Sequence, residues 1–223
     1  MKLAIITGGA KRIGKHISTC FAEKGWNVAV IYNESIESAI DLVNFLNKKN
    51  IIVKAYKVDL RKTQQISDTF KKIFEDMGNP DVLVNNAGIF PESAELIDIS
   101  DDSWNNTINV NLSSQFFCAR EFSKYSNHNS RIINIASLGG IEIWKNRIPY
   151  NVSKSGVIQL TKALARELAP KTTVNCICPG AVSIPTEPSV NDSFLIPVEK
   201  IPAKRHGTTN DIFDVVYFFA TTN

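Results

Sequence analysis

A tyrosine and a lysine that stand four residues apart form the most chemically suggestive pair in the sequence. Tyr150 and Lys154 open a helical pattern, so both side chains are expected on one helix face. A free phenol has a pKa of about 10, and an ammonium within about 4–6 Å lowers it. Such a pair can donate or accept the proton that accompanies hydride transfer. The spacing is common on helices by chance, so the pair gains meaning only from its context.

A serine thirteen residues upstream can join this chemistry. Ser137 stands where the apolar run Ile133–Ala136 ends, as expected at the end of a strand. Its hydroxyl can hydrogen-bond a substrate oxygen and orient that oxygen toward Tyr150. A turn or cap residue is the alternative, and the serine on its own favours that alternative.

A glycine-rich loop, Thr7–Gly14, follows the first predicted strand and opens a helix. Glycines permit positive φ and let backbone N–H groups approach a pyrophosphate, whose charge the helix N-terminus favours. Many strand-to-helix turns need glycine for geometry alone, which is the alternative interpretation. The position after the first strand of a βαβ unit favours dinucleotide binding.

The end of the second predicted strand bears on the choice of dinucleotide. Tyr32 occupies the position where an Asp or Glu would hold the adenosine ribose hydroxyls. The absent carboxylate and the nearby cation of Lys11 favour NADP(H), whose 2′-phosphate an acid would repel, while NAD(H) remains possible. Glu34 follows closely, and it can equally be a first-turn residue of the next helix.

Short apolar runs alternate with amphipathic stretches along the whole chain. Strands are predicted at Leu3–Thr7, Asn27–Tyr32, Ile52–Lys57, Val82–Asn85, Arg131–Ile135 and Thr173–Cys178, and helices near 13–24, 35–48, 63–77, 102–125, 150–168 and 210–220. Strands that are apolar throughout indicate a parallel sheet covered on both faces. We therefore predict one α/β domain over residues 1–223, a Rossmann-type doubly wound parallel sheet in a three-layer α/β/α arrangement. Its ligand site should lie at the carboxyl ends of the strands, under a proline-rich loop over Pro179–Pro202.

Composition excludes several function classes. A net charge of +3 is too mild to indicate nucleic acid or an acidic membrane surface as a partner. No run approaches the roughly 20 apolar residues of a membrane span, and the first strand is too short for a signal peptide. Four cysteines without zinc-ligand spacing favour free thiols in a reducing cytoplasm. His16, His128 and His206 stand far apart, so no metal site is predicted.

The ordered motifs together resemble those of short-chain dehydrogenases/reductases. The resemblance runs from residue 3 to about residue 220. It is carried by Thr7–Gly14, Asp59-Leu60, Asn85–Gly88, Asn109–Leu112, Ser137, Tyr150–Lys154 and Pro179-Gly180. Motifs of this number at the family's order and spacing identify the chain as similar to that family.

The resemblance implies a role for each matching residue. Tyr150 would be the general acid, Lys154 would lower its pKa and hold the nicotinamide ribose, and Ser137 would bind the substrate carbonyl. Asn111 would hold a water that links Lys154 to solvent. The predicted cofactor contacts are Gly8, Lys11, Arg12, Ile13, Gly14, Tyr32, Asn33, Ser35, Asp59, Leu60, Asn86, Ala87, Gly88, Tyr150, Lys154, Pro179, Gly180 and Val182. The family also implies a small-molecule substrate and a homodimer or homotetramer.

Two branches of the family compete for the substrate. Arg12 in the loop and Phe90 after the Asn-Asn-Ala turn look like pteridine reductases, in which both side chains would contact a flat heterocycle. That branch usually carries an Asp at the position of Ser137, a serine at Gly88 and an arginine at Glu34. Ser137 looks more like 3-oxoacyl-acyl-carrier-protein reductases and carbonyl reductases. Phe90 can equally be a hydrophobic anchor of its loop.

The chain also departs from the family at its C-terminus. Members normally continue with a seventh strand, whereas this sequence stops at Asn223, so we expect that strand to be absent.

Two rival functions are a non-catalytic dinucleotide-binding regulator on the same fold and a structural protein whose glycine loop is only a turn.

Overall fold

The six predicted strands form one parallel sheet. The computed structural model describes residues 1–47, 51–184 and 196–222. The strands are β1 (Leu3–Thr7), β2 (Asn27–Tyr32), β3 (Val53–Lys57), β4 (Val82–Asn85), β5 (Ser130–Ile135) and β6 (Thr172–Ile177), in the order β3-β2-β1-β4-β5-β6. Every pairing is parallel, and each predicted strand is confirmed to within one residue at either end.

The sheet is buried on both faces, which explains its continuous apolar strands. All residues of β1, β4 and β5 are buried. Alternate residues of β1 pack into opposite cores, Ala4 and Ile6 into one and Leu3 and Ile5 into the other. Because side chains alternate along a strand, each face needs its own apolar cover.

Helices supply that cover in two layers. They are α1 (Arg12–Glu23), α2 (Ile36–Leu46), α3 (Thr63–Met77), α4 (Asp101–Ile108), α5 (Ser114–Tyr125), α6 (Ile148–Leu168) and α7 (Thr209–Thr221). Phe21 of α1 and Phe213 of α7 belong to one core, whereas Phe70 of α3 and Phe122 of α5 belong to the other. The predicted doubly wound, three-layer α/β/α architecture is confirmed.

The long helix predicted over 102–125 is interrupted, which corrects the sequence-based assignment. Residues Asn109–Ser113 form a π-helical turn between α4 and α5. A π turn holds one more residue than an α turn, and such turns are frequent at functional sites. It places Asn111, which is fully buried, against the loop that follows β4.

The predicted loop over Pro179–Pro202 is only partly described, because residues 185–195 lie outside the described residues. Before them Val182 pairs with Gly207, and after them Val198–Lys200 form a short 3-10 turn. Among the described residues, β6 lies at one edge of the sheet. None of the helices in the described ranges is long and apolar enough to cross a membrane.

Candidate active site

The carboxyl ends of the strands lie level with one another and carry the predicted site. Pairing aligns Thr7 with Ile31, Tyr32 with Lys57, and Asn85 with Asn134. The order reverses between β1 and β4, so a crevice opens there between the loops that follow the two strands.

Glycines bring three backbone segments into contact at this crevice. A Cβ on Gly14 would lie 2.1 Å from the Gly8 carbonyl oxygen and 2.6 Å from Nδ2 of Asn86. Gly8 itself has a φ of +62°, a conformation that favours glycine. These close approaches leave a cradle of backbone at the start of α1.

The N-terminus of α1 is chemically suited to an anion. Within the described residues, no side chain caps it at Lys11, and its first turn holds no acid. The first N–H groups of an α-helix have no carbonyl partner within that helix, and at this end of α1 Lys11, Arg12 and Ile13 line the cleft. Together with the helix dipole they fit a pyrophosphate, so the structure meets this requirement for a dinucleotide.

Threonine and asparagine side chains hold the two walls of the crevice together. The Thr7 hydroxyl oxygen accepts hydrogen bonds from the backbone N–H groups of Asn86 and Ala87, each at 3.0 Å. Nδ2 of Asn86 donates to the carbonyl oxygens of Thr7 (3.0 Å) and Gly8 (3.3 Å). The phosphate loop is therefore rigidly placed relative to the turn after β4.

The crevice widens into a cleft of about 520 Å³ that reaches to the ends of β2 and β3. It gathers most of the predicted cofactor residues: Gly8, Lys11, Arg12, Ile13, Gly14, Tyr32, Asn33, Ser35, Asp59, Leu60, Asn86, Ala87 and Gly88. The other predicted cofactor contacts are not among the residues that line it: Tyr150, Lys154, Pro179, Gly180 and Val182. Pro179 instead accepts a hydrogen bond from the N–H of Leu138 at 2.8 Å, beside the end of β5.

The cleft also contains two polar side chains that the sequence analysis missed, Arg61 and Asn106. Arg61 comes two residues after Asp59, so its position beyond β3 was a signal that could have been used. Asn106 lies on α4, and no sequence pattern connects it with the nucleotide loop.

Ser137 follows β5, and the structure shows the second of the two roles that the sequence left open, that of a cap residue. Its hydroxyl oxygen accepts a hydrogen bond from the Gly139 N–H at 3.1 Å and so caps a short 3-10 turn. The hydroxyl proton remains for Tyr150 or a substrate oxygen.

Burial raises the pKa of Tyr150, and the hydrogen bond to Ser137 opposes that rise. The sequence analysis had expected the ammonium of Lys154 to hold this pKa down. That expectation is wrong. Nζ of Lys154 lies 5.9 Å from the phenol ring centroid, and burial is the largest influence on the pKa of Tyr150. Tyr150 is therefore held in its protonated form, which is the form that a general acid needs.

Lys154 is a buried cation. Its side chain lies under the end of β5, 4% exposed, and Nζ donates to the Ile135 carbonyl oxygen at 3.0 Å. Burial lowers its pKa to about 8, and the nearby thiols Cys176 and Cys178 act in the opposite direction. The ammonium has two more N–H donors, which suits it to ribose hydroxyls.

Asn111 clamps the loop after β4 through its side-chain amide. Oδ1 accepts from the Ile89 N–H at 2.7 Å, and Nδ2 donates to the Ile89 carbonyl oxygen (2.9 Å) and to the Ser153 hydroxyl (3.2 Å). A Cβ on Gly88 would lie 3.3 Å from Oδ1 of Asn111 and 3.4 Å from Nζ of Lys154, so these polar atoms face one small space. Because both amide N–H bonds are used, the predicted water relay at Asn111 requires Oδ1 or the main-chain carbonyl.

Aromatic rings surround the phenol of Tyr150. Phe90 packs edge-to-face against it with centroids 4.6 Å apart, and Trp144 lies parallel to it at 5.9 Å. The buried guanidinium of Arg147 stacks over Phe90 at 4.3 Å and donates to the Pro91 carbonyl oxygen. Phe90 therefore lies beside Tyr150, whereas Arg12 lines the nucleotide cleft. The sequence analysis missed Trp144.

Comparison with known sequences finds one family. The short chain dehydrogenase family model matches residues 2–193. The chain is 33% identical over 224 residues to the 3-oxoacyl-acyl-carrier-protein reductase FabG of Staphylococcus epidermidis, covering 99% of this chain and 91% of that protein. The corresponding reductase of Thermotoga maritima is 33% identical over 226 residues, covering 99% and 90%.

Solved structures show the same fold. A Burkholderia cenocepacia short chain dehydrogenase in complex with NADP superimposes with a TM-score of 0.90 at 27% identity, covering 98% of this chain and 90% of that one. A blue fluorescent protein from a metagenomic library in complex with NADPH gives a TM-score of 0.90 at 29% identity, covering 97% and 89%.

Proposed function

The chain belongs to the short-chain dehydrogenase/reductase family and is an NAD(P)-dependent oxidoreductase, and we propose that it uses NADP(H) to reduce a carbonyl or imine substrate. The observation that carries the proposal is the meeting of Ser137, Tyr150 and Lys154 beside the turn at Gly88, which lines the nucleotide cleft. A proton donor is therefore held next to the end of the cleft that is remote from β2 and β3.

The cofactor preference rests on charge at the end of β2. Tyr32 stands where an acid would exclude a 2′-phosphate, and Lys11 lines the same cleft. Two of the similar solved structures hold NADP or NADPH, which supports the same choice. Glu34 also lines the cleft, so NAD(H) remains the alternative cofactor.

When bound, the cofactor supplies a hydride to the substrate carbon. Tyr150 donates its phenolic proton to the substrate oxygen or nitrogen, and the Ser137 hydroxyl donates a hydrogen bond to the same atom. Lys154 would hold the nicotinamide ribose, and its Nζ lies 5.9 Å from the phenol ring centroid of Tyr150. A proton from solvent then restores Tyr150.

Two substrate classes remain, each favoured by a specific observation. A 3-oxoacyl thioester is favoured by the FabG relatives, which match nearly the whole chain, and by Ser137 at the substrate position. A pteridine is favoured by the rings of Phe90 and Trp144 beside Tyr150, because flat heterocycles stack on aromatic side chains.

A panel assay tests the proposal. Purified protein is incubated with NADPH and an acetoacetyl thioester, a dihydropterin, a quinoid pterin or simple ketones and aldehydes, and NADPH oxidation is followed. We expect turnover of at least one substrate by the wild type and its loss in Tyr150→Phe. A protein that binds NADPH but reduces none of them would be the non-catalytic regulator, and one that binds no nucleotide would be the structural protein.

Two further properties stay predictions. We propose a homodimer or homotetramer from the family resemblance, and a cytoplasmic location from the four cysteines, whose spacing favours free thiols. Sedimentation of the purified protein tests the first, and a single monomer species across the micromolar range would contradict it.

A further inference from the structure

Arg61 is a charged side chain of the nucleotide cleft that the proposed mechanism does not use. It follows β3 and lines the cleft together with Asn106 of α4. The same two side chains also line a second, more open hollow over α4. Arg61 and Asn106 therefore lie between the nucleotide cleft and this second hollow.

The guanidinium of Arg61 is fixed rather than free. Nε donates to Oδ1 of Asp59 at 2.8 Å, Nη2 donates to Oδ2 at 2.9 Å, and Nη1 donates to Oδ1 of Asn106 at 3.2 Å. Contacts to both carboxylate oxygens set the plane of the guanidinium, and the Asn106 contact ties its far side to α4. The side chain is still 45% exposed and lines the nucleotide cleft, so a ligand in the cleft can reach it.

The order of the strands shows which part of a dinucleotide meets this plane. Tyr150 and Lys154 lie beyond β4, and the phosphate cradle lies between β4 and β1. Arg61 stands at the end of β3, on the opposite side of the cradle. A dinucleotide whose nicotinamide lies at Tyr150 therefore places its adenine at the β3 end.

Charge then distinguishes adenine from phosphate as the partner of Arg61. The side-chain hydrogen bonds from Arg61 hold the pKa of Asp59 below its usual range, so the pair is a carboxylate and a guanidinium that offset each other. Lys11 and Arg12 provide cations nearer the phosphate cradle. A paired, flat guanidinium suits a neutral aromatic ring, on which it can stack.

We propose that Arg61 is a positioning residue for the cofactor, and that its guanidinium covers the adenine ring without reading the 2′-phosphate. This inference rests on the proposed nucleotide-dependent function. Asp59 retains acceptor capacity on Oδ2 for the exocyclic amine of the same ring. Loss of Arg61 should therefore remove a contact that NADPH and NADH share.

The test measures binding by calorimetry for Arg61→Ala, Arg61→Lys and the control Arg166→Ala, an exposed arginine on α6. The ligands are NADPH, NADH and reduced nicotinamide mononucleotide, which lacks the adenosine. We expect Arg61→Ala to weaken NADPH and NADH equally, by about 3- to 30-fold, and to leave the mononucleotide unchanged. Arg61→Lys keeps the charge without the plane and should lose most of the same affinity, whereas Arg166→Ala should lose none.

Each other outcome overturns the inference in a distinct way. A loss confined to NADPH would make Arg61 a 2′-phosphate reader, and an equal loss for the mononucleotide would make its role structural. Full affinity in Arg61→Lys would show that charge alone matters. Unchanged NADPH binding by Arg61→Ala would refute the positioning role of Arg61 and leave the proposed function intact. A wild type that binds no nucleotide would refute the proposed function as well.

Discussion

Replacing Lys154 with methionine should abolish activity and stabilise the fold. Methionine matches the length of the lysine stem but carries no charge to desolvate. Burial lowers the pKa of Lys154 from 10.5 to about 8, so the buried ammonium disfavours folding at neutral pH. At about 1.36 kcal/mol per pKa unit, that lowering of the pKa reduces the free energy of unfolding at neutral pH by roughly 3 kcal/mol.

One loss opposes this gain. Nζ of Lys154 donates to the Ile135 carbonyl oxygen, and removing the donor from a buried acceptor costs about 1–1.5 kcal/mol. The net expectation for Lys154→Met at pH ~7 is a free energy of unfolding that is higher by about 2 kcal/mol.

The pH dependence identifies the cause. Because the folded pKa lies below the unfolded pKa, the unfolded chain binds more protons between pH 8 and 10.5. The stability contribution of Lys154 therefore rises with pH across that window, and the advantage of Lys154→Met should nearly vanish by pH ~10.

Urea unfolding without nucleotide, at neutral pH and near the upper end of that window, measures this difference. Lys162→Met, which replaces an exposed lysine on the same helix, is the control and should show little change at either pH. The reasoning would be refuted by a Lys154→Met variant that is less stable than wild type at neutral pH. A variant whose free energy of unfolding differs from that of wild type by the same amount at both pH values would also refute it.

Two further variants test the nucleotide cleft. Lys11→Ala should weaken NADPH several-fold more than NADH, because Lys11 is a cation that lines the same cleft as Tyr32 and would attract the added charge of the 2′-phosphate; equal weakening in calorimetry would remove that argument. Gly14→Ala should abolish binding of both dinucleotides, because its Cβ would lie 2.1 Å from the Gly8 carbonyl oxygen and force the phosphate cradle apart. Gly25→Ala is the control for binding: no atom lies within 4 Å of its new Cβ, and the φ of +81° strains the alanine, so this variant loses stability without obstructing the cradle. Wild-type affinity in Gly14→Ala would show that the cradle is not needed.

The fold was largely predictable because its signals are local. Strands buried on both faces are apolar at every position, so β1 and β4 stand out in the sequence. The glycines of the phosphate loop and the spacing of Tyr150 and Lys154 are local as well. These residues come together because parallel strands end at one edge of the sheet.

What escaped prediction depends on distant contacts. The apolar periodicity of a helix does not reveal the one extra residue of a π turn, and the turn at Asn109–Ser113 holds the buried Asn111. The pKa of Tyr150 follows from burial in the folded protein, and spacing from Lys154 could not reveal its direction. The link from Arg61 to Asn106 joins residues 45 positions apart, which no local pattern connects.

The central claim is that Tyr150 supplies the proton while the cofactor supplies the hydride to one substrate. Its most direct test uses NADPH deuterated on the transferred position of C4 with a substrate that the panel identifies. Wild type should place one deuterium on the former carbonyl or imine carbon, and Tyr150→Phe should bind NADPH normally but transfer about 10²–10⁴-fold more slowly. Transfer by Tyr150→Phe at the wild-type rate, or product without deuterium at that carbon, would contradict the account.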